Sequence, residues 1–352
     1  MKPLLTGATG VVGANIAREL IGRGCRVRAF VRQTSDTSAI DGIGVETAYG
    51  DILDQSSIED AARGCDIVFH CAAIFAYAGH SAEEMFQTAG DGTANVIRAA
   101  ARAGAKRVVL TASSVVFGSS SRPSVIDEDN PGSEPPVSVY EQSKIEQLHR
   151  ARAVAAECGI ELVCVCPTLC VGPYDKRLTE GNAVISNFLR DPFRSTWQGG
   201  VNIVSVRDVA AGHVLIAKKG LPGSCYLLGA DNLSWEAVHR TIAELCGVSG
   251  PLFRANHTGS YLAALSHEIS SFITGERPLV CRAQAKMVGR YYWYSSGRAG
   301  ELGYAPRSSH HALIEAIAWL CASRHVSPSL RSRLRLSDDV LRAHPSFEGK
   351  VS

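Results

Sequence analysis

Tyr140 and Lys144 stand four residues apart in a segment with the composition of a helix, beginning near Val139. That spacing sets both side chains on one face, one turn apart. A phenol can give or take a proton, and an ammonium within about 4 Å would favour its phenolate by up to ~4 kcal/mol at an effective dielectric of 20. The chemistry open to the pair is proton transfer to or from an oxygen. An exposed Tyr and Lys on an amphipathic helix share the same spacing, so the pair needs a scaffold that delivers it to a reacting group. A second polar pair, Ser113-Ser114, follows the apolar run from Lys106 to Thr111. Polar residues at the carboxyl end of a strand are where an open α/β sheet presents its chemistry.

The scaffold is visible in the opening stretch, Lys2 to Gly13, KPLLTGATGVVG. A short apolar run ends in Thr6, glycines follow at Gly7, Gly10 and Gly13, and Val11 to Leu20 has helical spacing without proline. The pattern is strand, tight turn, helix. Glycine admits backbone angles closed to other residues and lets the chain approach a diphosphate at the positive N-terminus of a helix. GxxGxxG is one residue longer in its first gap than GxGxxG, so by itself it is a moderate signal, and a plain glycine-rich turn is the lesser reading until βαβ context is found.

That context follows at once. Cys25 to Val31 reads as a second strand ending at Arg32, Val45 to Tyr49 as a third running into Asp51, Gln55 to Arg63 as a helix, and Asp66 to His70 as a fourth strand. Such alternation means parallel βαβ units. At the end of the second strand an acid bonds the ribose 2′-hydroxyl, whereas an arginine accommodates a 2′-phosphate. Arg32 therefore favours NADP(H), and Asp36 keeps NAD(H) open. Asp51 is assigned to the adenine. His70 reads as a packed or backbone-bonded histidine rather than a base, since no metal or nucleophile spacing surrounds it.

A long helix is expected from Ala82 to Ala103, a surface loop from Gly118 to Pro136, and a sixth strand from Ile160 to Cys166 before Pro167. Beyond Pro173 the alternation breaks. A short strand is expected over Asn202 to Val206, with Asp208 capping the next helix, another strand over Ser224 to Leu228, and a helix from an N-cap at Ser234 to Cys246. The aromatic-rich stretch from Tyr261 to Tyr294 is expected to form a helical lid. The arginine-rich segment after Ala322 reads as a loosely held tail or a polar docking arm.

Composition bounds the partners. The chain has 352 residues, 36 basic and 34 acidic side chains and a net charge near +2, which gives no reason to expect nucleic acid or an anionic membrane. Eleven scattered cysteines, with no leader ahead of the first strand, read as reduced thiols in a cytoplasmic protein. Cys164, Cys166 and Cys170 lack a second ligand pair, so no metal is expected. No apolar run reaches the roughly 18 residues of a membrane span.

Together TGATGVVG, GDILD at Gly50 to Asp54, CDIVFHCAA at Cys65 to Ala73, the fifth-strand serine, YEQSK at Tyr140 to Lys144, PTLCVGP at Pro167 to Pro173 and ELGYAP at Glu301 to Pro306 resemble the extended short-chain dehydrogenases/reductases. Within them the chain is similar to the dihydroflavonol-reductase-like branch, which includes proteins labelled hopanoid-associated sugar epimerases. The resemblance covers about residues 1 to 322. It implies an α/β fold, a Rossmann-type doubly wound parallel sheet with a smaller C-terminal substrate-binding lid domain. The boundaries expected are 1–173 for the nucleotide-binding domain with a return around 201–220, 174–200 and 221–322 for the lid, and 323–352 for the tail.

The resemblance also implies Ser113, Tyr140 and Lys144 as the catalytic trio. Ser113 is chosen over Ser114 because it stands five residues before Gly118. Tyr140 would protonate the alkoxide left by hydride addition to a carbonyl, its pKa lowered by Lys144, which would also bind the nicotinamide ribose, while Ser113 holds the substrate oxygen. The nucleotide is expected against Thr6, Gly7, Thr9, Gly10, Val11, Val12, Gly13, Arg32, Asp51, Ile52, Ala72, Tyr140, Lys144 and Pro167. Two positions depart from the family pattern: Ala89 replaces an Asn of the long helix, and Val201 replaces the Arg that sugar-nucleotide members use for the diphosphate. The leading expectation is an NADPH-dependent ketoreductase acting on a small, fairly apolar molecule. The alternative is an NAD-dependent sugar-nucleotide epimerase or dehydratase. The resemblance further implies a homodimer paired through the helices at Ala82 to Ala103 and Val139 to Glu157.

Overall fold

The computed structural model of the protein describes residues 1–75, 79–256, 259–261, 264–265 and 282–343. Strands β1 (Pro3–Thr6), β2 (Arg28–Val31), β3 (Glu46–Tyr49), β4 (Ile67–His70), β5 (Arg107–Thr111), β6 (Glu161–Pro167) and β10 (Cys225–Leu228) form one sheet. Its order is β10-β6-β5-β4-β1-β2-β3, and every neighbouring pair is parallel. This is the Rossmann-type arrangement expected. The direction of winding reverses between β1 and β4, where Thr6 and His70 are register partners. A crevice therefore opens at the carboxyl ends of those two strands.

The strands read as near-continuous apolar runs because both faces are covered. Leu5, Phe69 and Val109 pack on one side with Ile16 and Leu20 of helix α1 (Val11–Gly22). Leu4, Val68 and Leu110 pack on the other with Ile58 of α2 (Gln55–Ala62), Ile97 of α4 (Thr93–Arg102) and Leu148 of α5 (Val139–Cys158). The start and stop of α5 are written locally. Ser138 and Glu141 make a reciprocal capping box, and Gly159 ends the helix at φ +64°, a conformation that glycine takes without steric cost.

Four expectations are corrected. The helix expected from Ala82 to Ala103 is two helices, α3 (Ala82–Gln87) and α4, joined by a π turn at Thr88–Gly92. Within that turn a Cβ on Gly92 would lie 2.7 Å from Ile52 Cδ1. Helix α7 (Val206–Lys219) is capped by Ser205, whose hydroxyl accepts from Arg207 N, while Asp208 accepts from Arg307 instead. The strand at 225–228, assigned by sequence to the lid region, is the seventh strand of the main sheet, beside β6. The segment after Ala322 is docked as far as Ala343. Arg335 N and Ser337 N donate to Cys246 O and Leu245 O, and Val326 and Val340 are buried.

Over the carboxyl ends of the main sheet lies a second sheet. It has β9 (Gly200–Ser205) between β11 (Asp231–Ser234) and β13 (Tyr291–Tyr292), with β7 (Leu169–Val171) also paired to β9. Ser234 caps helix α8 (Trp235–Cys246) as expected. The 118–136 loop is tied to this sheet, Ile126 N donating to Trp293 O and Ser120 N to Tyr291 O. Much of the stretch expected as a lid, 262–263 and 266–281, lies outside the described residues. Among the described residues no helix is long and apolar enough to cross a membrane.

Candidate active site

The glycine turn between β1 and α1 is held by close approach. Gly7 sits at φ +71°, and a Cβ there would meet Ala72 N at 2.5 Å; a Cβ on Gly13 would meet Gly7 O at 2.2 Å. Gly10 is the N-cap of α1, makes no side-chain cap, and no acidic residue occupies the first turn. The first N–H groups of α1, including those of Val11 and Val12, thus carry the positive end of the helix dipole with no carboxylate against it. Thr9 Oγ1 accepts from Arg177 at 3.2 Å.

At the end of β2, Arg32 is exposed. Asp36 accepts from Ser38 N at 2.9 Å, and its carboxyl is held below the usual range first by that bond, with Lys176 and Arg324 adding to it. Asp51 accepts from Leu53 N, and the neighbouring Ile52 carbonyl accepts from Asn95. Ala72 N donates to Thr6 Oγ1, and Pro167 is buried at the end of β6 opposite Leu228.

Ser113 and Tyr140 are hydrogen-bonded to one another, Ser113 Oγ also accepting from Val115 N. The ring of Phe75 lies 5.0 Å from that of Tyr140. The expectation that Lys144 lowers the Tyr140 pKa is corrected. Burial raises it above the ordinary phenol value; the Ser113 bond opposes this, and the nearby Cys170, Glu141 and Glu180 raise it further. The reason is where the lysine points. Lys144 Nζ donates to Gln147 Oε1 at 2.8 Å and to Thr111 O at 3.5 Å, and burial pushes it down to about 8. Tyr140 is accordingly a neutral phenol.

His70 is buried and bonded to two threonines, Thr6 and Thr93, and burial, with the Lys144 charge adding to it, pushes it down to about 3. It is packed and neutral, with side-chain partners rather than backbone ones. Cys164 and Cys166 face Cys225 across the β6–β10 pair. Among the described residues no group of His, Cys, Asp or Glu is arranged to hold a metal ion.

A family profile described as the NAD dependent epimerase/dehydratase family matches residues 3–229. The chain belongs to this family. It is 32% identical over 336 residues to the "Sterol demethylase protein B" of Methylococcus capsulatus, covering 91% of this chain and 98% of the relative. It is 30% identical over 321 residues to a "Putative dihydroflavonol 4-reductase" of Synechocystis, covering 90% and 93%. The crystal structure of gox2253 superposes with a TM-score of 0.79 at 34% identity, covering 90% of this chain and 97% of that one. The protein is thus an NAD(P)-dependent oxidoreductase of the extended short-chain dehydrogenase/reductase type.

The turn fits the dinucleotide this family uses: Gly7 and Gly13 leave no room for a Cβ, and an uncapped helix N-terminus faces outward beside them. Three residues of this oxidoreductase's site were missed by sequence reasoning. Gln147 carries a signal, because it follows Lys144 by three residues and so shares its helix face. Thr93, at the start of α4, is recognisable only once His70 is seen beside it. Arg177 lies in an unpatterned segment and had no signal at all.

Proposed function

We propose that this oxidoreductase is an NADPH-dependent ketoreductase interconverting a ketone and a secondary alcohol on a small, fairly apolar molecule. The observation that carries the reading is the hydrogen-bonded, buried Ser113–Tyr140 pair at the strand ends, with an aromatic ring against the phenol. When bound, the reduced nicotinamide supplies the hydride. Tyr140 gives its proton to the oxygen as charge develops there, and Ser113 holds the same oxygen in place. Lys144, one helical turn on, would bind the nicotinamide ribose. Phe75 and the buried strand ends keep water from the pair.

The choice of NADPH is supported by Arg32, which has no side-chain partner among the described residues, and by Asp36, whose carboxylate serves its own turn. The choice of an apolar substrate is supported by Val201. It is buried in β9 between Leu233 and Tyr292, where sugar-nucleotide relatives of the resemblance carry an arginine. The second reading, an epimerase or dehydratase that retains NAD through its cycle, is favoured by the family description and would use the same three side chains. Purified protein assayed for NADPH oxidation against a panel of ketones, with mass spectrometry of the denatured protein, separates them. Turnover of free NADPH that collapses in Tyr140→Phe supports the ketoreductase. Co-purified NAD with no net consumption of free cofactor overturns it in favour of the second reading.

A further inference from the structure

We propose that Gln147 is a positioning residue for Lys144: its carboxamide oxygen holds the ammonium, and a file of buried side chains running through Thr93 and His70 to Thr6 holds the carboxamide. The contacts are continuous. Lys144 Nζ lies 2.8 Å from Gln147 Oε1, Gln147 Nε2 3.0 Å from Thr93 Oγ1, Thr93 Oγ1 2.9 Å from His70 Nε2, and His70 Nδ1 2.7 Å from Thr6 Oγ1. Thr6, His70, Thr93 and Gln147 are 0% exposed and Lys144 4%. An ammonium is a donor only, so it fixes which end of the amide is oxygen, and the NH₂ must then face Thr93. The file begins at the residue before Gly7 of the nucleotide-binding turn and ends at the lysine beside Tyr140. It ties β1, β4, α4 and α5 together through side chains alone.

The electrostatics explain why the partner is an amide. Burial without a counter-ion disfavours a charged lysine, and Lys144 is held down to about 8. The titratable groups facing it are neutral ones. His70 is pushed down to about 3 by burial and the Lys144 charge, Cys71 up to about 12 by burial, and Cys166 well up by its bond to Cys225 and by burial. Tyr140, on the same helix, is raised by burial as well. Behind the Thr111 carbonyl, the Thr111 hydroxyl meets Cys71 and His213 of α7, and burial pushes His213 down to about 4. Gln147 thus supplies a hydrogen bond without adding a charge. The lysine stays anchored and close to its ionisation midpoint at mildly alkaline pH.

The test is the titration of Lys144 itself in the full chain, followed by NMR of ¹³C-lysine-labelled protein with the resonance assigned through Lys144→Arg. The wild-type midpoint is expected near 8. Gln147→Glu, which adds a counter-charge at the same place, is expected to raise it by about one unit or more. Gln147→Met, which removes the acceptor, is expected to lower it. Thr93→Val, which frees only the far end of the amide, is expected to lower it less. Should the Met variant not fold, the nearly isosteric Glu and Val variants decide. Coincident midpoints, or Glu and Met shifts of the same sign, overturn the proposal. Its consequence for turnover rests on the ketoreductase reading, in which the alkaline limb of kcat/KM follows these midpoints. The titration needs no turnover: midpoints that move while Lys144→Met keeps full reductase activity would sink that reading and leave the positioning role standing.

Discussion

The two ends of the groove along the strand ends are built on opposite terms. Around Tyr140 the polar groups that meet are buried and paired: Ser113 bonds Tyr140, Gln147 bonds Lys144, and His70 bonds two threonines. Around Arg32 the polar groups face solvent, and Asp36 and Asp51 accept from the backbone of their own turns. Removing one member of the buried set leaves another unpaired, at about 1–3 kcal/mol each. Changing an exposed side chain is usually felt by less than about 0.5 kcal/mol. One end is therefore fixed by mutual satisfaction, and the other can change its side chains at little cost to the fold.

The contrast is most sharply tested at the phenol. Tyr140→Phe is expected to lower kcat/KM for NADPH-dependent ketone reduction by roughly 10²–10⁴-fold, and full activity in that variant would remove the buried end from the chemistry. Next in size is an acid sensitivity to which two histidines of the buried end contribute. His70 and His213 are pushed below the ordinary histidine value, to about 3 and about 4, so the unfolded chain binds the extra protons. Stability is full above about pH 6.5 and falls as the pH drops toward those values, by about 1.4 kcal/mol per unit for each histidine. Urea unfolding at successive pH values should show that slope, and His70→Asn should flatten it; equal stability at pH 7 and pH 5 would contradict the assignment of both as neutral.

Between the two ends, Gly13→Ala places its Cβ 2.2 Å from Gly7 O. It is expected to cost ~1–3 kcal/mol of stability and to weaken NADPH binding measured by nicotinamide fluorescence. Gly22→Ala, at the far end of the same helix, meets nothing within 4 Å and should be neutral or stabilising. The smallest effect belongs to the exposed end. Arg32→Ser is expected to reduce the preference for NADPH over NADH by on the order of tenfold, ~1.4 kcal/mol, with the unfolding midpoint unchanged. An unaltered ratio of the two dissociation constants would place the 2′-phosphate elsewhere.

Local patterns carried the reading as far as they reach. The glycine turn, the first six strands, the start of the helix near Val139 and the cap at Ser234 each depend on residues within a few positions of one another, and each stands close to where its pattern put it. The π turn at Thr88–Gly92 escaped because the helical period of its segment is unbroken; the interruption shows only in the structure, where Gly92 sits hard against Ile52. The tail escaped for a similar reason. Its arginines and serines suggest solvent, yet Val326 and Val340 find the core, and its backbone bonds Leu245 and Cys246.

The sequence by itself determined that this chain builds a tight glycine turn between its first strand and helix and carries Tyr140 and Lys144 on one helix face, since both are matters of residue type and short spacing. Which way the lysine points was decided only by the tertiary structure. That direction depends on an amide three residues along, a threonine on another helix and a histidine on a neighbouring strand, and the last two stand 51 and 74 positions away in the chain. A hydrogen-bonded file of that kind has no period to read, and it exists only because burial obliges each polar group in it to find a partner.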